Sequence, residues 1–206
     1  MPKSRNFCAA MGLRNRNSRK VSARGKAAVF TSFVLCFSMW PSGKSFAREK
    51  GETMSLQMSS AAFSSGEAIP KKFTCDGPDV SPQLKWNDPP AKTQSMALIM
   101  DDPDAPGSTW VHWVLYDLPA NTRELPEGVA KQEQLSSGAR QGRNDFEKTG
   151  YGGPCPPPGK PHRYFFKLYA LDNKLNLKSG ATKVELERAM KSHVLGQAEL
   201  IGKYGR

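Results

Sequence analysis

Acidic side chains are missing from the first 48 residues, where ten Lys/Arg stand without one Asp or Glu. The formal charge of +11 therefore sits almost wholly in that stretch; the remaining 158 residues carry 20 basic and 19 acidic side chains. A nearly neutral body offers no basic groove for a phosphate backbone, so nucleic acid is not an expected partner. Long apolar runs are missing too. The uncharged run from Ala27 to Trp40 falls short of the about 20 residues that a membrane-spanning helix needs, so the mature form has no expected transmembrane segment. There are only three histidines and four cysteines, and neither HExxH nor GxSxG occurs. Zincin-type and serine-hydrolase chemistry thus have no local motif to rest on, and no internal repeat is visible.

What the leader does contain has an order of its own: basic residues to Lys26, the uncharged run, then a polar piece ending Ser45-Phe46-Ala47. That order reads as a secretory signal over residues 1–47 with cleavage after Ala47, and hence as export to a periplasm. An Arg- and Ser-rich transit peptide, or translation from Met54 with a cytoplasmic product, stays open. Residues 48–54 are expected to be a flexible N-terminus and 55–206 the folded domain. Cys8 and Cys36 leave with the leader. Cys75 and Cys155 remain, either as a disulfide or as two free thiols, and a pair cannot make a four-cysteine zinc site.

Tyr151 to Tyr164, YGGPCPPPGKPHRY, holds five prolines and three glycines, which exclude helix and central strand before His162. A stiff loop is expected there, leading directly into a strand, HRYFFKLYAL, from His162 to Leu171. Ser95 to Met100 is a continuous apolar run that reads as a buried strand ending in the acidic turn Asp101-Asp102-Pro103-Asp104. Trp110 to Leu118 is the clearest strand, and a period of two puts Trp110, His112, Val114 and Tyr116 on one face and Val111, Trp113 and Leu115 on the other. Shorter strands are expected at Leu56–Met58, within Phe63–Phe73, at Gln83–Trp86 and at Ala198–Ile201. Thr182 and Glu185 form a capping box for a helix whose stripe is Leu186, Ala189, Met190 and Val194, closed by Gly196. One helix among many short strands makes a mainly β, antiparallel domain.

His162 and Tyr164 are two apart and share a face. With His112 and the acids of 101–104 they can converge at one strand end beside the Pro/Gly loop. Imidazole and phenol groups, with backbone N–H exposed by Gly152 and Gly153, would donate to an anion, while Asp102 or Asp104 orients an imidazole. Two histidines and an aspartate could also hold zinc, but no local spacing supports this, so no metal and no cofactor is expected. His193 reads as structural.

DDPDAP (Asp101–Pro106), VHW (Val111–Trp113), GRNDF (Gly142–Phe146) and YGGPCPPPGKPHRY occur in an order that resembles the phosphatidylethanolamine-binding protein family. TCDG (Thr74–Gly77), SPQLKW (Ser81–Trp86) and the C-terminal helix look like its bacterial Raf-kinase-inhibitor-like (YbhB/YbcL-like) branch. The resemblance spans about Ser55 to Arg206. It implies two antiparallel sheets in a Greek-key arrangement with a few peripheral helices, and a small anion pocket for phosphate-like groups or phospholipid head groups. By position, the ligand residues would be Asp102, His112, Gly153, His162 and Tyr164. A non-enzymatic binding protein follows, with a protein partner and a homodimer left open. The alternative is a hydrolase or lyase using His112, His162 and Asp102 as acid–base groups or metal ligands. Cys75 and Cys155 are further expected to lie within bridging distance beside the pocket.

Overall fold

The computed structural model describes residues 55–206; the expected leader with its cleavage site at Ala47, and the alternative start at Met54, lie outside the described residues. Two runs dominate the architecture. SMALIMDD forms β3 (Ser95–Asp102), buried along its whole length, because it is the middle strand of a five-stranded sheet and has side chains to hide on both faces. Around it lie β1 (Met58–Ser59), β2 (Leu84–Trp86), β4 (Trp110–Pro119), β5 (Glu124–Leu125), β6 (Arg140–Gln141), β7 (His162–Leu171) and β8 (Val194–Tyr204), with one α-helix, α1 (Lys183–Met190). The large sheet runs β6-β4-β3-β7-β8 and the small one β1-β2-β5, with every pairing antiparallel.

Alternation along β3 divides the core. Met96, Leu98 and Met100 point toward the small sheet and pack with Met58, Leu84, Trp86, Trp113, Leu115 and Phe166. Ala97 and Ile99 point the other way, beneath Leu186 and Met190 of α1. The helix starts as expected: the Thr182 side chain accepts from the Glu185 N–H and the Glu185 carboxylate accepts from the Thr182 N–H.

Three expectations need correction. Strict alternation in β4 fails at His112, since Val111 pairs with Asp101 but Trp113 with Met100, leaving His112 as one extra residue, a bulge. Val111 consequently shares the helix-side core with Val114 and Tyr116, while Trp113 and Leu115 lie between the sheets. Downstream, Asp117 (φ 55°) marks a second irregularity that returns Leu118 to the inter-sheet core. The helix stops at Met190, not Gly196. His193 donates its N–H to the Met190 carbonyl and pairs through Nδ1 with Asp172 Oδ1 at 2.8 Å, which turns the chain back onto β7, so Val194 opens β8 with its side chain exposed. Finally, Pro70 leads not into a strand but into a 3-10 turn at Lys71–Phe73, and residues 66–69 instead cover the end of β8 through Gly66 N–H to Ile201 O and Ile69 N–H to Lys203 O.

Candidate functional site

The Pro/Gly segment crosses one end of the large sheet and is tied down along its length. Tyr151 stacks edge-on against Trp113 and donates its hydroxyl to the Phe73 carbonyl at 2.6 Å. Gly153 sits so close to the 3-10 turn that a Cβ would lie 2.4 Å from the Phe73 oxygen, and its N–H donates to Asp79 Oδ1. A Cβ at Gly152 would run into the Phe146 ring. Cys155 forms a disulfide with Cys75, with Cα atoms 5.4 Å apart, and the Cys75 N–H donates to the Pro154 carbonyl. Arg206 donates Nε–H to the Pro156 carbonyl at 2.8 Å.

Under this segment lies a cavity of about 220 Å³. Its polar groups are Asp102, His112 and His162; Trp110 and Phe146 form an aromatic side, while Ala105-Pro106 and Cys155-Pro156-Pro157 complete the walls. The bulge in β4 presents His112, and the GRNDF turn braces it: Asn144 Nδ2 donates to the Gly150 carbonyl and, at 3.4 Å, to the His112 carbonyl, while Asp145 Oδ2 accepts the Val111 N–H. His112 is 2 % exposed and packs edge-on against Phe146 and Tyr164. Its Nδ1 lies 2.8 Å from the Gly152 carbonyl, an acceptor only, so Nδ1 carries the proton. Burial holds its pKa below the ordinary imidazole value, against the smaller opposing pull of the Gly152 carbonyl and Asp102.

The acidic turn divides its three carboxylates among three tasks. Asp102 alone faces the cavity, with Oδ2 at 2.8 Å from His162 Nδ1 and Oδ1 accepting the Asp104 N–H. Asp104 turns outward to a bidentate pairing with Arg163, whose guanidinium holds that carboxyl at a pKa of about 2. Asp101 points to the opposite face, where Lys167 and Lys183 neutralise it.

Of the expected site residues, the structure brings Asp102, His112 and His162 together as cavity lining. Tyr164 lies beneath them, fully buried, its hydroxyl without a hydrogen-bond partner among the described residues and its phenol pushed well above the ordinary value by burial and by Asp102. Gly153 stands behind the wall with its N–H engaged by Asp79. Neither Phe146 nor Trp110 was among the expected site residues. Phe146 lies within a motif the sequence displays, but its role depends on Gly152 making room; Trp110, 37 % exposed beside the cavity, shares β4 with His112. Among the described residues, no side chain lining the cavity is a serine, a threonine or a free thiol. Among the described residues, no group of three or more His, Cys, Asp or Glu is arranged to hold a metal ion.

Relatives share this architecture. A family model described as phosphatidylethanolamine-binding protein matches residues 59–205. The chain is 51 % identical over 153 residues to a UPF0098 protein of Aquifex aeolicus, covering 73 % of this chain and 89 % of that one. It is 48 % identical over 151 residues to a UPF0098 protein of Methanothermobacter thermautotrophicus, covering 73 % and 99 %. Among solved structures, a phosphatidylethanolamine-binding protein homologue from Chlamydia trachomatis superimposes with a TM-score of 0.68 at 41 % identity, covering 74 % of this chain and 98 % of that chain. Escherichia coli YbcL, a member of the mammalian family of that name, superimposes with a TM-score of 0.69 at 35 % identity, covering 73 % and 98 %. The chain described here belongs to the phosphatidylethanolamine-binding protein family.

Proposed function

We propose that this protein is a non-enzymatic binding module for a small anionic ligand of the phosphate or phospholipid head-group class, exported from the cytoplasm and acting on a partner protein. The observation that carries the reading is the placement of His162, oriented by Asp102, opposite His112 in a small cavity with fixed walls. An oriented imidazole presents its remaining nitrogen to a ligand without losing side-chain freedom on binding. Among the described residues the walls supply no serine, threonine or free-thiol nucleophile, which favours binding over acyl-enzyme chemistry. The disulfide beside the cavity favours an oxidising compartment, in line with export.

The test is phosphate binding by calorimetry to the native chain and to His162→Ala. Affinity should be lost in the variant while the thermal transition moves little, because His162 lies at the sheet end and not in its core. Unchanged affinity sinks the reading, and pocket-dependent turnover of a hydrolase substrate panel would replace it with the acid–base alternative on His112, His162 and Asp102. N-terminal sequencing of the protein from its own host tests export; a mature terminus at Met54 rules it out.

A further inference from the structure

The two cavity-lining imidazoles are not equivalent. His162 gives Nδ1 to Asp102, and its Nε2, once protonated, is a donor. His112 gives Nδ1–H to the Gly152 carbonyl, which has no proton to return. Among the described residues its Nε2 has no hydrogen-bond partner. Among the described residues, the buried side-chain polar atoms without a partner are Tyr164 Oη and Asn173 Oδ1 alone, so His112 Nε2 is accessible, and the space it opens to is the cavity that His112 lines. A neutral imidazole with its proton on Nδ1 offers a lone pair there. Burial, which disfavours the imidazolium, keeps it in that form.

The groups facing His112 reinforce this. From β3 comes the Asp102 carboxylate; from β7 come His162 and the protonated phenol of Tyr164; from the GRNDF turn comes Asp145, occupied by the Val111 N–H. Among the described residues, the only cavity-lining side chain besides His112 able to carry positive charge is His162, and Pro156 and Pro157 have no N–H to give. An anion without a proton would thus meet one donor imidazole, one carboxylate and one inward lone pair.

We infer that the pocket selects an anion that still carries a proton, inorganic phosphate or the monoanion of a phosphate monoester, over anions that carry none, the isosteric sulfate and phosphodiesters, and that His112 Nε2 is the acceptor that reads the proton. This rests on the anion-pocket reading above and narrows it: the P–OH donates to His112 while a phosphoryl oxygen accepts from His162. The shared chemistry is the phosphoryl group, and the monoester and diester arms of the test separate a free phosphate from a lipid-type diester.

Calorimetry on the native chain with inorganic phosphate, methyl phosphate, dimethyl phosphate and sulfate at pH 7 tests it. Phosphate should bind at least about tenfold more tightly than sulfate or dimethyl phosphate, since those two leave the lone pair facing another. Methyl phosphate should weaken more steeply than inorganic phosphate as pH rises past about 6, where a monoester loses its last proton. In His112→Met the phosphate-to-sulfate ratio should collapse; if that variant does not fold, the ratios and pH series of the native chain decide alone. Sulfate or dimethyl phosphate within tenfold of phosphate overturns the inference while leaving the anion pocket standing. Failure of all four to bind overturns both.

Discussion

Asp101 and Asp102 are neighbours on one strand, both buried, yet the two faces of the sheet they reach are built on opposite terms. On the helix side Asp101 is fully enclosed, with Lys167 Nζ at 2.8 and 3.0 Å and Lys183 Nζ completing its neutralisation. Its lone pairs are filled by cations on β7 and α1, and nothing is left over for a ligand. On the pocket side, among the described residues, Asp102 has one side-chain hydrogen-bond partner, His162, whose second nitrogen has none. The closed face gains its order from ion pairs and a capped helix, the open face from a disulfide and a run of prolines. A buried carboxylate is therefore not by itself a sign of function; what matters is whether its partner has an unused valence toward a cavity.

Breaking the closed face should cost the most stability. Asp101→Ala leaves Lys167, mostly buried, without its counter-charge and Lys183 with only the more distant Glu187 at 3.7 Å, and should lower unfolding free energy by about 3 to 5 kcal/mol in urea titration, while any folded fraction keeps its phosphate affinity. Loss of that affinity would mean the two faces are coupled. Removing the disulfide with Cys75→Ser and Cys155→Ser should cost about 2 to 4 kcal/mol and weaken the ligand as well, since the same bond holds a cavity wall. Asp102→Asn should reverse the weighting. Stability should fall by only about 1 to 2 kcal/mol, whereas phosphate binding should drop sharply as His162 loses its orienting carboxylate. Equal effects of Asp101→Ala and Asp102→Asn on both readouts would dissolve the distinction.

The smallest effect concerns pH. His112 is held below the ordinary imidazole pKa in the folded state, so as pH falls below about 6.5 the unfolded chain takes up a proton that the folded chain refuses. Stability contributed by neutral His112 is thus complete above that pH and is lost on acidification down to the folded pKa. Comparing urea midpoints of the native chain and His112→Gln at pH 7.5 and 5.5 checks the sign, because the variant should lack this part of the slope.

The long strands were legible because their signals are local: an unbroken apolar run for β3, aromatic and β-branched density for β4 and β7, and a Thr-x-x-Glu box for α1. The polar trio was legible for the same reason, since each member sits at the end of such a strand. What escaped were features set by a second segment. The bulge at His112 depends on register against β3, which no period in β4 alone reveals. The turn at His193 depends on Asp172, 21 residues away. Tyr164 and Gly153 were read as groups touching a ligand, but how deep the phenol lies and which acceptor takes the Gly153 N–H are decided by packing from Asp79 and the 3-10 turn, which appear in sequence as unremarkable loop.

The proline-rich wall has a consequence for the rate of binding. Pro154, Pro156, Pro157 and Pro158 fix their own backbone torsions, and Cys155 and Arg206 anchor the segment between them. Such a wall is expected not to interconvert between open and closed states, so that the ligand need not wait for a closure step and the chain loses little freedom when it arrives. Stopped-flow association should accordingly be a single phase whose rate rises linearly with ligand concentration. A plateau in that rate would reveal a gate elsewhere in the site, and differences in affinity among ligands should then reside in how fast each departs.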